Sequence, residues 1–179
     1  MNNTNKQVGL PPGSIVFTGD KKIEDVGMDF LKYDSQTLDT KSARNEIMML
    51  FRAENDEKVD WYDFRGVHDT ELMEDIGEAF KIHPLILEDI SDVNQRPKFE
   101  EYENGIFIII KALAFDKAKL KITSEQVALY FRHGFVVSFQ ETESDLFAEV
   151  RNRLKRGNGR IRHRGADYLA YALIDVLVD

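Results

Sequence analysis

The chain has 179 residues, of which 42% are hydrophobic, 31% charged and 11% aromatic, the balance of one ordinary globular domain rather than of a disordered segment. Its formal net charge of −8 argues against nucleic acid as a partner and is compatible with cations. No cysteine is present, which excludes disulfides, thiolate zinc sites and a cysteine nucleophile. The longest unbroken apolar run, residues 106–110, is far short of the ~20 residues that a membrane-spanning helix needs. The polar start MNNTNKQVGLPPG contains no apolar signal core. The sequence reads as a soluble, cytosolic piece.

Residues 1–13 read as a flexible leader, with Pro11-Pro12-Gly13 stopping any regular structure. Extended pieces are expected at 14–18 and 28–33. Asp39 is placed to cap a helix over 41–53, with Ile47, Leu50 and Phe51 as its inner stripe. An acidic loop at 54–58 leads to a strand at 59–64 that ends at Gly66. Asp69 then caps an amphipathic helix whose apolar positions are Leu72, Ile76, Ala79 and Phe80, with Glu71, Glu74, Asp75 and Glu78 opposite. In the next short helix, 83–92, Pro84 suits the first helical position, and His83 caps the helix or fills a gap rather than ligating a metal. Ile82, Ile86, Leu87 and Ile90 face inward there.

After Gln95-Arg96-Pro97-Lys98 the period changes to two. Strands are expected at 99–102, 106–115, 123–131 and 135–140, joined by tight links that imply antiparallel neighbours. The run 106–110 lacks alternation, which suggests a central strand covered on both faces. Helices near 144–156 and 166–179 close the chain. The sum is an α/β fold: a mixed, largely antiparallel sheet with helices on both faces. The last helix is apolar over much of its circumference and carries an isolated Asp175, expected to have a hydrogen-bond partner or to border an interface. Its pattern runs to Asp179 with no terminating residue, as in a helix cut from a longer one.

Glu88, Asp89 and Asp92 crowd the C-terminal end of a short helix, where the dipole favours cations. Like charges three and four residues apart cost roughly 0.2–0.5 kcal/mol per pair. A hard cation such as Mg²⁺ or Ca²⁺ would relieve the crowding. A solvated acidic surface accounts for the same residues, and both readings stay open here. The four histidines are dispersed and lack zinc-ligand spacing. Residues 157–165 carry glycines and arginines beside a helix start, a weak likeness to a phosphate loop, but residues 151–164 also read as a solvated basic surface. Trp61 and the strand phenylalanines read as core. No serine has the context of a nucleophile.

Trp61-Tyr62-Asp63-Phe64, the run from His83 to Ile90, Gln95-Arg96-Pro97-Lys98, Glu125-Gln126-Val127, Ser138-Phe139-Gln140-Glu141 and Asp167-Tyr168-Leu169 through Asp175 stand in this order. In these motifs residues 14–179 resemble the N-terminal cytoplasmic domain of the CorA magnesium transporters. The resemblance implies an α/β/α sandwich, five copies of which form a funnel on the cytoplasmic face of the membrane. It implies regulatory Mg²⁺ bound weakly between protomers, with Asp89 as the main ligand and Glu88 and Asp175 forming a second, adjacent site. The opposing acid would stand on a neighbour's stalk helix past residue 179, and a backbone carbonyl near Pro12 would contribute. The family's stalk, membrane helices and Gly-Met-Asn pore signature are missing, so attachment to the membrane would run through parts outside this sequence. Neither an enzymatic activity, nor a small-molecule substrate, nor nucleic acid is implied. A related zinc-transporting branch shares the fold. The rival of a different class is an enzyme using Mg²⁺ at Glu88 and Asp89 on a phosphorylated ligand held by residues 160–164.

Overall fold

A computed structural model of the chain describes residues 9–44, 57–116, 120–157 and 159–178. Strands β1 (Gly27–Tyr33), β2 (Leu38–Arg44) and β3 (Val59–Arg65) precede helices α1 (Thr70–Phe80) and α2 (Pro84–Ser91). Strands β4 (Lys98–Tyr102), β5 (Gly105–Asp116), β6 (Lys121–Arg132) and β7 (Phe135–Gln140) follow, then α3 (Ala148–Arg156), a 3₁₀ turn at Ile161–His163 and α4 (Ala166–Val178). The strands form one sheet in the order β2-β1-β3-β7-β6-β5-β4, antiparallel throughout except where β3 meets β7. Alternation along each strand feeds two cores. Phe30, Tyr62, Phe64 and Phe139 pack under α1 and α2, whereas Leu31, Trp61, Leu129 and Val136 pack under α3 and α4. This is the expected α/β/α sandwich with its mixed, largely antiparallel sheet.

Several local expectations are corrected. Residues 41–44 belong to β2, and Asp39 pairs with Lys32 in the ladder instead of capping a helix. The cause is the turn before them. The Asp34 carboxylate accepts the N–H groups of Gln36 at 2.7 Å and Thr37 at 2.6 Å, which closes a hairpin onto β1. The rest of the expected helix, 45–53, lies outside the described residues. Residues 14–18 join no strand. They run over α2, with Ile15 and Phe17 packed on the first core and the Thr18 N–H donating to the Ser91 carbonyl at 3.3 Å.

The inner stripe of α1 is Met73, Ile76, Gly77 and Phe80, with Ala79 exposed. Gly77 is the reason: a Cβ there would stand 2.2 Å from Leu87 Cδ1, so α2 presses on α1 where the side chain is missing. The strand β5 is second from the edge; the centre belongs to β7, whose six residues are all buried. Phe99 and Phe115 are 59% and 56% exposed and are not core. The helix expected near 144–156 begins only at Ala148.

Candidate functional site

The helix α2 is built to order by its first and last residues. Pro84 occupies the first turn, and His83 caps it, its Nδ1 accepting the Leu85 N–H at 3.2 Å. Ile86, Leu87 and Ile90 are buried against the sheet and α1. At the other end the free carbonyls meet a bracket from the sheet. Gln126 on β6 donates its side-chain amide to the carbonyls of Asp89 (3.2 Å), Ile90 (3.4 Å) and Asp92 (3.2 Å). Lys111 on β5 donates to the Val93 carbonyl at 2.7 Å and to Gln126 Oε1 at 2.9 Å. Glu141 Oε1 in turn accepts the Gln126 N–H at 2.6 Å. A cation and an amide therefore serve the helix end that the dipole makes negative.

The acids on α2 have separate partners. Glu88 Oε2 accepts the Gly13 N–H at 2.6 Å and has no cationic partner among the described residues. Asp92 accepts from the Thr18 hydroxyl, from the Asn94 N–H at 3.3 Å and from the Gln95 amide at 3.0 Å. Asp89 alone is ion-paired. Lys98 Nζ donates to its Oδ2 and, at 3.3 Å, to Glu100 Oε1. Burial pushes the Asp89 carboxyl up against the pull of Lys98, with Glu100 and Glu88 adding to the rise. Burial also works against the Lys98 ammonium, but Asp89 and Glu100 together outweigh it and its pKa is raised. The spot between Asp89 and Glu100 thus already holds a cation, one tethered to the chain.

Asp175 lies on α4, across the sheet from α2, and its Oδ1 accepts the Tyr171 hydroxyl at 3.2 Å. One copy therefore does not bring it to Glu88 and Asp89. Among the described residues no three His, Asp or Glu side chains converge into a metal-binding group. The donors that α2 does present are hard carboxylate oxygens in a place that accepts positive charge. Such oxygens are the donor type that hard divalent cations take.

The glycine–arginine loop packs on the α3–α4 side through Ile161 and borders a cavity with Tyr33 and Asp34. Ile161 belongs to the core under α3 and α4 and the α2 residues to the core on the other face of the sheet, so the loop and the α2 acids do not form one concave site among the described residues. Arg151 is not part of a solvated basic surface. It is buried and its Nη1 donates at 2.8 Å to Asp63, which is itself fully buried.

Asp63 also accepts from Ser138 Oγ and, at 2.8 and 3.0 Å, from Gln140 Nε2, while Trp61 Nε1 donates to Ser138 Oγ at 3.0 Å. The parallel β3–β7 register puts Asp63 directly opposite Ser138. Burial raises the Asp63 pKa against Arg151, Ser138 and Gln140. This buried network was not anticipated. Its signal was present: Asp63 shares the period-two face of Trp61, and Ser138 and Gln140 share that of Val136.

The family of CorA-like Mg2+ transporter proteins matches residues 56–179. The cobalt/magnesium transport protein CorA of Thermotoga maritima is 42% identical over 172 residues, covering 96% of this chain and 48% of that protein. The chain thus spans about half the length of that relative. In fold it is similar to the soluble domain of CorA from Methanocaldococcus jannaschii, with TM-score 0.59 and 19% identity over 83% of this chain and 55% of that one. It is likewise similar to the ZntB cytoplasmic domain from Vibrio parahaemolyticus, with TM-score 0.58 and 15% identity over 84% and 58%. Among the described residues no helix is long and apolar enough to cross a membrane. The matched relatives are transport proteins, and with the family signature running over well more than half of its residues the chain belongs to the CorA-like Mg²⁺ transporter proteins.

Proposed function

We propose that this chain is the regulatory domain of a magnesium channel, standing on the cytoplasmic face of the membrane and binding Mg²⁺ between neighbouring copies. Asp89 would be the principal ligand, with Glu88 and Asp175 at a second, adjacent site. The observation that carries this reading is the position of Asp89: a partly buried carboxylate beside Glu88, in a spot that already accepts the charge of Lys98. Because Glu88 and Asp175 lie on opposite faces of one sandwich, an ion they share needs the α2 face of one copy against the α4 face of the next. Such a head-to-tail contact is heterologous, the type from which a closed ring such as a homopentamer is built.

When Mg²⁺ is plentiful the acids of adjacent copies are held together and the pore stays closed. When it falls, they repel and the copies separate. The ion shifts this balance only by its preference for the closed arrangement. Mg²⁺ keeps much of its water and needs one or two carboxylates, so each site is weak and releases its ion over the range being sensed.

The test places this chain in the Thermotoga transporter in exchange for the aligned segment, reconstituted in vesicles. Flux is then measured against internal Mg²⁺. Asp89→Lys, which substitutes a fixed cation for a removable one, is expected to flatten the inhibition by internal Mg²⁺. A Mg²⁺ dependence identical to that of the unmutated chimera refutes the assignment.

A further inference from the structure

The glycine–arginine loop, which the α2 site does not use, walls a cavity of about 650 Å³ together with Tyr33, Asp34 and Lys58. Gly157 and Gly159, at φ 66° and 83°, turn the chain back after α3, and Ile161 is buried in the core. That anchor holds Arg162, within the 3₁₀ turn, and Arg164, just after it, at the cavity. Arg162 Nε donates to the Asp34 carbonyl at 3.0 Å, but its Nη2 is buried with no hydrogen-bond partner. Tyr33 is fully buried, lines the same cavity, and its hydroxyl also has none. An unpaired buried donor costs free energy, so two of them at one cavity would gain from an acceptor there.

The surrounding charge favours an anionic one. Arg164 is exposed and has no ion-pair partner among the described residues. The thirteen-residue α4 starts at Ala166, next to Gly165 in the cavity wall, and so presents the positive end of its dipole there. Of three acids nearby, Asp34 has its charge met within the wall, whereas Glu57 and Asp167 have no cationic partner among the described residues and the Asp167 charge reaches Tyr33. Asp34 is engaged by the N–H groups of Gln36 and Thr37 and by Lys58 at 3.5 Å. Glu57 is exposed in the wall, and Asp167 lies in the first turn of α4.

We propose that this cavity binds a phosphate-bearing anion, with Arg162 and Arg164 taking its charge and the Tyr33 hydroxyl donating to one of its oxygens. Guanidinium and hydroxyl donors match phosphate oxygens in geometry and charge. Free phosphate and a nucleotide both present that group.

The 179-residue chain is titrated by calorimetry with inorganic phosphate and separately with metal-free ATP, at constant ionic strength in sodium chloride. Saturable one-site binding is expected. Arg164→Gln, at an exposed position, should weaken it roughly tenfold, the effect of losing one charge-assisted hydrogen bond. Tyr33→Phe should weaken it several-fold while melting, without phosphate, no lower than the wild type, since it removes only an unpaired donor. Saturation by inorganic phosphate supports the proposal with a free anion as ligand; saturation by ATP alone supports it with a nucleotide as the source. Binding of neither, or equal binding by both variants and the wild type, overturns it.

Discussion

Replacing Lys98 by methionine keeps an apolar stem of similar reach and deletes the ammonium that Asp89 and Glu100 share. The two paired side chains are 24% and 16% exposed, so the pair lies between the surface and interior cases. Exposed pairs contribute ~0–1 kcal/mol and breaking a buried pair costs ~3–5 kcal/mol, so a loss of about 1–2 kcal/mol is expected for Lys98→Met. Urea unfolding in EDTA measures it, provided the denaturant slope is unchanged. The second half of the experiment adds millimolar MgCl₂ against sodium chloride of equal ionic strength. In the wild type a divalent ion at Asp89 must displace a tethered cation; in the variant it meets a bare carboxylate. The variant should therefore gain more stability from Mg²⁺ than the wild type, by about 1.4 kcal/mol for each tenfold tightening of binding. A variant as stable as the wild type in EDTA, or one that gains no more from Mg²⁺, would show that Lys98 does not neutralise Asp89.

Gln126→Ala removes the side-chain amide from three carbonyls at the end of α2, of which that of Asp92 keeps the Gln95 N–H at 3.2 Å, at a cost of about 1–3 kcal/mol. Hydrogen exchange should speed up at that helix end before it does in α1, and uniform acceleration would refute the bracket. Arg151→Met strands the buried Asp63 and should cost ~3–5 kcal/mol. Adding Asp63→Asn should cost much less than its effect alone, and strict additivity in the double-mutant cycle would count against a coupled network. Asp34 has its pKa lowered from 3.8 to about 2, chiefly by the Thr37 N–H, then by that of Gln36. Its stabilising contribution is therefore present above pH 3.8 and lost as the pH falls through about 2. The carboxyl carbon shift of Asp34 followed by NMR checks this, and a midpoint at the ordinary value would rule the hairpin turn out as its cause.

Periodicity made the layers legible: the change to period two after residue 98 marked the strands β4 to β7, and the inward face of α2 was readable residue by residue. What it could not weigh was one element against another. The run at 106–110 suggested a centre, yet β5 is penultimate and β7 takes the middle. Strand order depends on which edges meet, and the parallel β3–β7 contact leaves no mark in either strand alone. The helix expected at 41–53 failed over 41–44 because the turn at Asp34 closes a hairpin, and turn chemistry prevailed over a plausible cap at Asp39. On α1 the apolar count favoured Ala79, while the observed stripe follows Gly77, where the missing side chain admits Leu87. The acids of α2 were legible as a crowd. Their partners Lys98, Gly13 and Thr18 were not, because each is brought to the helix by a fold that the crowd itself does not specify.

The motifs of this chain divide into two kinds of work. Trp61 and Asp63 on β3, with Ser138 and Gln140 on β7, form a buried hydrogen-bonded set with Arg151 that ties the two strands together. Gln126, Lys111 and Glu141 hold the end of an eight-residue helix that, at such a length, would not be stable by itself in water. The second set depends on the first through adjacency. Glu141 directly follows Gln140 on the chain, so fixing β7 against β3 also fixes the carboxylate that orients Gln126. Asp89 and Glu88 are therefore not a loose acidic surface but side chains on a short helix anchored at both ends. On the proposed function, such anchoring would make like-charge repulsion between neighbouring copies an effective lever, because the helix that carries the acids is held at both ends. On the proposed reading a shared ion then acts on the separation of whole domains, and the preference it must express is for a contact between rigid faces.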